Sequence, residues 1–386
     1  MEVKARAPGK IILAGEHAVV HGSTAVAASV DLYTTASARL LSSSDSMNHI
    51  SWYGKGFSVG ETGLPATNTD ERERDDHDLV KLQLKDLALE FSWPISRIKE
   101  ALGVFVGAIS TPTSCPAECL KSIVYLVEDQ NIPEAKIGLA SGVSAFPWLC
   151  SSILGFVPVD VAITSELPLG SGLGSSAAFC VSLSAAFLAL SGSVNVDREH
   201  RGWMVYKEDE LDLLNKWAFE GEKIIHGKPS GIDNTVSTYG SMIKFKSGSL
   251  TLIKSSMPLK MLITNTKVGR NTKALVAGVS ERTIRDPDAM NSVFNAVNSI
   301  SNELSILIQS PVHDEVSLTE KEEKLVELME MNQGAGGGGC VLTLLPNLLS
   351  GKVVDEVVAE LVSCGFECFI AGIGGKGAEI SFGDSS

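Results

Sequence analysis

The alternation of hydrophobic and polar residues predicts strands in both halves of the chain. Apolar residues occupy every second position over residues 80–84 and again over 87–91, which is the spacing of a β-hairpin. A strand is also predicted over residues 3–13, interrupted at Pro8-Gly9-Lys10. Further strands are predicted over residues 158–165, 243–245, 250–253, 260–264, 341–345, 366–370 and 378–382.

A helical spacing of apolar residues predicts the remaining elements. Residues 208–225 carry Leu211, Leu214 and Ala218 on one face, the pattern of an amphipathic helix, and Gly227 follows at its end. Further helices are predicted over residues 119–130, 145–154, 175–190, 316–332 and 353–362. Because strands and helices are mixed without regular alternation, the predicted fold class is α+β.

One loop between a predicted strand and a predicted helix carries candidate chemistry. Residues 166–178 read Glu-Leu-Pro-Leu-Gly-Ser-Gly-Leu-Gly-Ser-Ser-Ala-Ala. Its glycines allow backbone N–H groups to close on a ligand, and the following helix directs its unpaired N–H groups to the same place. The loop is therefore a candidate phosphate site. A tight turn before a buried helix explains the loop alone equally well.

The chain lacks two better-known phosphate-binding signatures. It contains no G-x-x-x-x-G-K-[ST] segment, and the dinucleotide fingerprint would need a third glycine where Ser175 stands. A hydrolase motif, G-x-S-x-G, occurs at residues 56–60, but neither the strand before it nor the helix after it is predicted. The glycine-rich segment is therefore a phosphate loop of another type, if it binds phosphate.

Composition restricts the partners and surroundings. The 386 residues suffice for two domains, and 44% hydrophobic with 20% charged residues is typical of a soluble enzyme. A formal net charge of −14 argues against a nucleic-acid partner. The sequence shows neither an apolar run of the ~18 residues that span a membrane nor a signal peptide. Seven cysteines fit reduced thiols. A cytoplasmic enzyme with no membrane or nucleic-acid partner is expected.

Five segments together resemble the GHMP kinases, a family of small-molecule kinases. Residues 166–178 resemble the nucleotide loop of that family. Residues 7–22, 217–234, 264–273 and 334–339 resemble its opening, catalytic, substrate-side and C-terminal glycine motifs. The resemblance covers most of the chain, which makes it more specific than the loop alone.

The resemblance implies a fold and a reaction. The family fold has an N-terminal domain like domain 2 of ribosomal protein S5, expected over residues 1–255, and a ferredoxin-like C-terminal domain over residues 256–386. Galactokinases carry an aspartate-tyrosine pair where this chain has Ala18-Val19-Val20, so the members that phosphorylate mevalonate resemble it most. ATP and mevalonate are the implied substrates, and a homodimer is implied. Another acceptor, or a non-catalytic nucleotide-binding protein, remains an alternative.

The resemblance also implies roles for single residues. Asp233 is the implied base, with Lys10 stabilising the acceptor oxygen, because a free Asp with a pKa of about 3.9 is a weak base. The implied ATP-binding residues are Ser165, Gly170, Ser171, Gly172, Leu173, Gly174, Ser175 and Ser176. The implied substrate-binding residues are Lys10, Glu16, His17, Asp233 and Thr272. The implied Mg²⁺ ligands are Ser176 and Glu222.

Without the resemblance, each of these residues has an ordinary structural interpretation. Ser176 and Asp233 would cap helices, and Glu222 and Lys10 would be solvated surface charges. The location of these four side chains therefore separates the two interpretations.

The chain departs from the family at two places. Residues 43–78 are polar and charged and are predicted as a loop insert, so no adenine contact is assigned there. The predicted helix 316–332 runs directly into the glycines at 334–339, where the family has a further helix-length segment. The C-terminal domain is therefore predicted to lack a helix. Our hypothesis is that this loss makes the protein less stable or less active.

Overall fold

A computed structural model describes most of the chain. The described residues are 2–41, 78–106, 111–130, 132–133, 136, 139–269, 272–332, 338–347 and 349–383. The predicted insert 43–78, except Asp78, lies outside them, as does the hydrolase-like motif at 56–60. Residues 333–337, where the helix-length segment is predicted to be missing, also lie outside them.

The described residues form twelve strands, ten α-helices and two short 3-10 helices. The strands are β1 (Glu2–Ala14), β2 (Ala25–Leu40), β3 (Leu79–Leu84), β4 (Leu89–Pro94), β5 (Val159–Ser165), β6 (Met204–Val205), β7 (Met242–Lys246), β8 (Ser249–Ile253), β9 (Leu259–Asn265), β10 (Cys340–Leu345), β11 (Glu367–Ile373) and β12 (Glu379–Phe382). The helices are α1 (Ile95–Leu102), α2 (Ala117–Glu128), α3 (Ala140–Leu154), α4 (Ser175–Leu190), α5 (Glu208–His226), α6 (Ile232–Tyr239), α7 (Thr272–Arg285), α8 (Pro287–Gln309), α9 (Glu315–Met331) and α10 (Gly351–Ser363).

All twelve strands belong to one sheet. Its main order is β10-β9-β11-β2-β1-β12-β6, and the long strand β2 also pairs with β5 and β7. Among the pairings of the described residues, only that of β3 with β5 is parallel. The mixture of antiparallel strands and helices confirms the predicted α+β class.

The sheet crosses the predicted domain boundary. Strands β11 and β12 lie beyond residue 255, yet β11 pairs with β2 at Ile373–Val30 and β12 pairs with β1. The C-terminal residues therefore complete the sheet that β1 and β2 begin. The boundary at residues 255/256 stays a prediction.

Strand β1 corrects one detail of the sequence analysis. It runs unbroken from Glu2 to Ala14, so the predicted interruption at Pro8-Gly9-Lys10 is wrong. The chain keeps its pairing with β2 by shifting register between Pro8 and Gly9, and again between Ile12 and Ala14. Such irregularities redirect side chains next to functional sites. Lys10 lies between the two shifts.

Helix α4 lies at the centre of the molecule. Thirteen of its sixteen residues are buried, as expected for a helix that is apolar on all sides. A Cβ added at Gly221 of α5 would lie 2.8 Å from Sγ of Cys180 on α4. The glycine therefore permits the close approach of these helices, and it sets the neighbouring Glu222 against the start of α4.

The predicted hairpin and the predicted helices over 119–130, 175–190, 208–225 and 316–332 are observed within a few residues. Helices α1, α6, α7 and α8 were not predicted. The spacing of Phe294, Ile300, Leu304 and Ile308, all buried, was a signal for α8. Among the described residues, no helix has both the length and the apolarity needed to cross a membrane.

Candidate active site

A cavity of about 1020 Å³ opens between β1, the start of α4, the end of α5 and the start of α6. The loop 166–174, called the glycine loop below, forms one wall. Eleven of the fourteen predicted site residues line the cavity: Lys10, Glu16, His17, Ser165, Gly170, Gly172, Gly174, Ser175, Ser176, Glu222 and Asp233. These residues are far apart in the sequence, so the fold gathers them.

The other three predicted site residues are Ser171, Leu173 and Thr272. Ser171 is buried, and its hydroxyl donates a hydrogen bond to the Pro168 carbonyl at 2.7 Å. Leu173 is also buried, and its carbonyl accepts the Lys10 N–H at 2.8 Å. Both residues therefore shape the glycine loop from behind. Thr272 is the first residue of α7, but its side chain is not among those described.

The glycine loop requires its glycines. Gly170, Gly172 and Gly174 have φ angles of 67°, 84° and 76°, in the left-handed region that favours glycine. A Cβ on Gly174 would also lie 2.7 Å from Cγ of Lys10. Gly174 is the N-cap of α4 and no side chain caps that helix. The first N–H groups of α4 therefore remain available for an anion.

Lys10 connects the glycine loop to Asp233. Its Nζ lies 3.2 Å from the Gly172 carbonyl oxygen and 3.3 Å from Oδ2 of Asp233. The lysine side chain is 8% exposed and that of Asp233 is 34% exposed. Lys10 is therefore not a solvated surface charge. Asp233 lies in the first turn of α6, and the N-cap of that helix is Gly231.

Glu222 is buried beside the start of α4. Burial, with the negative charge of Asp233, raises the pKa of Glu222 to about 8, although a hydrogen bond from Ser176 and the charge of Lys10 act in the opposite direction. Its Oε1 is buried without a hydrogen-bond partner. The interpretation of Glu222 as a solvated charge is therefore wrong. An unpartnered carboxylate oxygen inside a cavity wall is unfavourable unless a cation or donor reaches it.

His226, at the end of α5, was not singled out in the sequence. Its Nε2 lies 3.0 Å from the Ser176 hydroxyl and 3.9 Å from Oε2 of Glu222. Burial lowers the pKa of His226, which favours the neutral imidazole at neutral pH. The Ser176 hydroxyl is thus held between two side chains of α5. Ser176 does not act as the N-cap of α4.

The donor set fits a magnesium ion that is also held by phosphates. The described residues contain no group of three or more His, Cys, Asp or Glu side chains able to hold a metal alone. Mg²⁺ at phosphate sites, however, uses one or two carboxylates together with waters and phosphate oxygens. The free Oε1 of Glu222 and the nearby Ser176 hydroxyl meet that requirement.

Part of the cavity wall is apolar. Strands β3 and β5 bring Leu84 and Ile163 together as paired residues, and Leu87, Val143 and Phe179 also line the cavity. Such a wall suits a flat, weakly polar ring. None of these side chains was singled out in the sequence, where no adenine contact was assigned because of the predicted insert over residues 43–78.

Comparison with known proteins supports a class for this site. The family model for the GHMP kinases N terminal domain matches residues 143–241, a range that holds the glycine loop, Glu222 and Asp233. A crystal structure of the Methanococcus jannaschii mevalonate kinase is 20% identical, with a TM-score of 0.58 over 96% of this chain and 97% of that one. The L. major mevalonate kinase in complex with R-mevalonate is 18% identical, with a TM-score of 0.58 over 99% and 97%. At these identities the two structures show the fold, which is that of the GHMP kinases.

Sequence relatives define the family more narrowly. The mevalonate kinase of Arabidopsis thaliana is 56% identical and aligns with 99% of this chain and 100% of its own length. That of Homo sapiens is 33% identical, over 97% of this chain and 93% of its own length. The chain belongs to the mevalonate kinases.

The alignment with the Arabidopsis thaliana protein spans 414 positions. This is 28 more than the 386 residues of the chain, so that relative carries residues that this chain lacks. That a helix-length segment is missing before the C-terminal glycines stays a prediction.

Proposed function

We propose that this chain transfers the γ-phosphoryl group of ATP to the primary hydroxyl of mevalonate, giving 5-phosphomevalonate and ADP. The observation that carries the proposal is the position of Lys10, whose Nζ contacts both the Gly172 carbonyl of the glycine loop and the Asp233 carboxylate. A phosphate loop and a candidate base therefore adjoin the same cation. The names of the relatives support mevalonate as the acceptor.

The triphosphate would lie along the glycine loop. Backbone N–H groups of the loop and the free first turn of α4 can donate to phosphate oxygens, and the helix dipole favours the negative charge. Residues Ser165, Gly170, Ser171, Gly172, Leu173, Gly174, Ser175 and Ser176 are the proposed ATP-binding set. The apolar wall around Leu84 and Phe179 would receive the adenine ring.

The acceptor hydroxyl would lie between Asp233 and Lys10. As its oxygen attacks the γ-phosphorus in line, the new P–O bond forms and the bond to the β,γ-bridging oxygen breaks, so that ADP leaves. Asp233 accepts the hydroxyl proton late, when the forming bond has made that oxygen more acidic. Lys10 stabilises the negative charge that develops on the oxygen.

Magnesium is the proposed metal. The Ser176 hydroxyl and the Glu222 carboxylate would hold it, since Oε1 of Glu222 is buried without a partner. When bound, Mg²⁺ neutralises charge on the triphosphate. Burial favours the protonated form of Glu222, so binding of the cation must displace its proton.

The substrate side and the cellular context complete the proposal. Glu16 and His17 line the cavity near Lys10, and they are proposed to contact mevalonate together with Thr272. We also propose a cytoplasmic location and a homodimer. A different small-molecule acceptor is the second candidate, because the resemblance to the wider GHMP kinase family alone allows several acceptors.

A coupled ADP-release assay tests the proposal directly. Mevalonate, galactose, homoserine and phosphomevalonate are offered in turn with Mg-ATP, and turnover is expected on mevalonate alone.

Asp233→Ala should lower kcat by several orders of magnitude while ATP affinity, measured by calorimetry, stays nearly unchanged. Asp160→Ala, which removes an aspartate paired with Arg39 outside the cavity, is the matched control. ATP binding without turnover on any acceptor would instead identify a non-catalytic nucleotide-binding protein.

A further inference from the structure

The end of β1 contains an irregularity that leaves one residue without an opposite residue in the neighbouring strand. Ile12 lies opposite Ala27 and Ala14 lies opposite Val26, so no residue of β2 is opposite Leu13. A bulge of this kind leaves the extra residue unpaired in the ladder. The Leu13 carbonyl therefore needs another donor.

The side chain of Asn332 supplies that donor. Its Nδ2 lies 3.5 Å from the Leu13 carbonyl oxygen, and its Oδ1 accepts the Gly15 N–H at 3.3 Å. One carboxamide thus bridges two backbone groups on either side of Ala14. The bridge joins Gly15, directly after the first strand, to a residue 317 positions later.

Asn332 is itself firmly placed. It is the C-cap of α9, and its own N–H bonds to the carbonyls of Leu328 and Met329 at 3.2 Å each. Leu328 is buried in the main hydrophobic core. The carboxamide is therefore presented from the end of a packed helix.

The backbone that Asn332 holds is strained. Gly15 has a φ of 87° and His17 a φ of 62°, and the latter is unusual for a residue with a side chain. A Cβ on Gly15 would lie 2.1 Å from the Thr24 carbonyl oxygen. Such conformations persist only where surrounding contacts enforce them. The Asn332 carboxamide is one of these contacts.

The strained turn carries two residues of the cavity wall. Glu16 and His17 both line the cavity, on the same strand-and-turn segment as Lys10. A movement of the turn would therefore displace Glu16 and His17, while the glycine loop is held separately by its bond to the Lys10 N–H.

We propose that Asn332 is a positioning residue for acceptor binding, because its carboxamide fixes the bulge and the 15–17 turn from the C-terminal part of the chain. The proposal rests on the proposed function only where it names mevalonate as the ligand of that turn. It also gives α9 a role at the site, just before the position where a helix-length segment of the family is predicted to be missing.

Asn332→Leu tests the proposal, since leucine has a similar volume and forms neither hydrogen bond. We expect the KM for mevalonate to rise about tenfold, from the loss of two hydrogen bonds. The KM for ATP should stay within twofold of its original value. Asn332→Asp keeps an acceptor for the Gly15 N–H but loses the donor to Leu13, and it serves as a second variant if the leucine protein fails to fold.

Asn347→Leu is the matched control. Asn347 also forms side-chain bonds, to Glu322 and the Pro258 carbonyl, but it does not line the cavity. Its loss should lower the melting temperature without changing the KM for mevalonate. A similar rise in the KM of both substrates in the Asn332 variants would overturn the proposal.

Hydrogen exchange provides a readout that does not depend on turnover. In Asn332→Leu, a peptide covering residues 13–19 should exchange faster than in the original protein, whereas peptides of the glycine loop should not change. If the original protein shows no turnover on mevalonate, the proposed function fails but this comparison still decides the role of Asn332. Unchanged exchange over 13–19 rejects the proposal.

Discussion

Lys10 and Asp233 form an ion pair, with 3.3 Å between Nζ and Oδ2. Lys10 lies on β1 shortly after the first register shift of that strand, and Asp233 lies in the first turn of α6. The lysine stem packs beneath the glycine loop, where a Cβ at Gly174 would collide with it. The ion pair therefore connects Asp233 to strand β1 and to the glycine loop.

Lys10→Met keeps most of the apolar stem and removes the charge. We expect kcat to fall by about 10²–10³-fold, because the cation that stabilises the developing alkoxide is lost. ATP affinity should change much less, since backbone N–H groups hold the triphosphate. Steady-state kinetics with both substrates measure this. Lys4→Met, on the exposed part of the same strand, should leave kcat unchanged. An equal loss in both variants would contradict the assigned role.

Gly174→Ala should disrupt the glycine loop in a way that Gly170→Ala does not. Both positions have positive φ, so each alanine introduces backbone strain of about 1–3 kcal/mol. Only at Gly174 would the added Cβ also press on the Lys10 stem, whereas Gly170 has open space around its Cβ position. We expect a larger fall in melting temperature and kcat for Gly174→Ala. Equal effects in the two variants would show that strain alone is responsible.

The buried carboxyl of Glu222 predicts a pH dependence of stability in the metal-free protein. Its pKa is about 8 in the folded state against an ordinary 4.5, so the folded state keeps a proton that the unfolded state releases between these values. By linkage, the stabilisation from this group is fully present below about pH 4.5 and is lost as pH rises through about 8.

Glu222→Gln should remove that pH dependence, because glutamine does not titrate. The melting temperature of the original protein, relative to this variant, should fall as pH is raised from 5 to 9 in the presence of a chelator. Thermal melts at several pH values measure the difference. A constant difference over that range would contradict the raised pKa of Glu222.

Restoring a helix-length segment between Gln333 and Gly334 tests the hypothesis about the missing helix. The relative that is 56% identical carries residues this chain lacks, so a chimera can take its segment from that protein. We expect a higher melting temperature, because an added helix buries more apolar surface, and a higher kcat. Differential scanning calorimetry and steady-state kinetics measure both. No gain in either rejects the hypothesis.

The sequence by itself determined the fold class, and its resemblance to a family identified eleven of the residues that line the cavity. Closely spaced glycines, a strand before them and an apolar helix after them are local features, so the loop at 166–174 could be recognised without a structure. The strands and helices with clear periodicity were likewise predictable. Four helices were not predicted, because α1 and α6 have only 8 residues each and α7 and α8 carry many polar residues.

Only the tertiary structure decided which side chains are in contact and which of them are buried or lie beside a charge. From the sequence alone, Asp233 would be interpreted as a helix cap and Glu222 as a solvated surface charge. The structure instead places Lys10 beside Asp233 and buries Glu222. His226 and Asn332 gave no signal, because a lone histidine or asparagine at a helix end is common. Burial, pKa shifts and backbone bridges depend on distances between residues far apart in the chain, and local sequence patterns do not encode those distances.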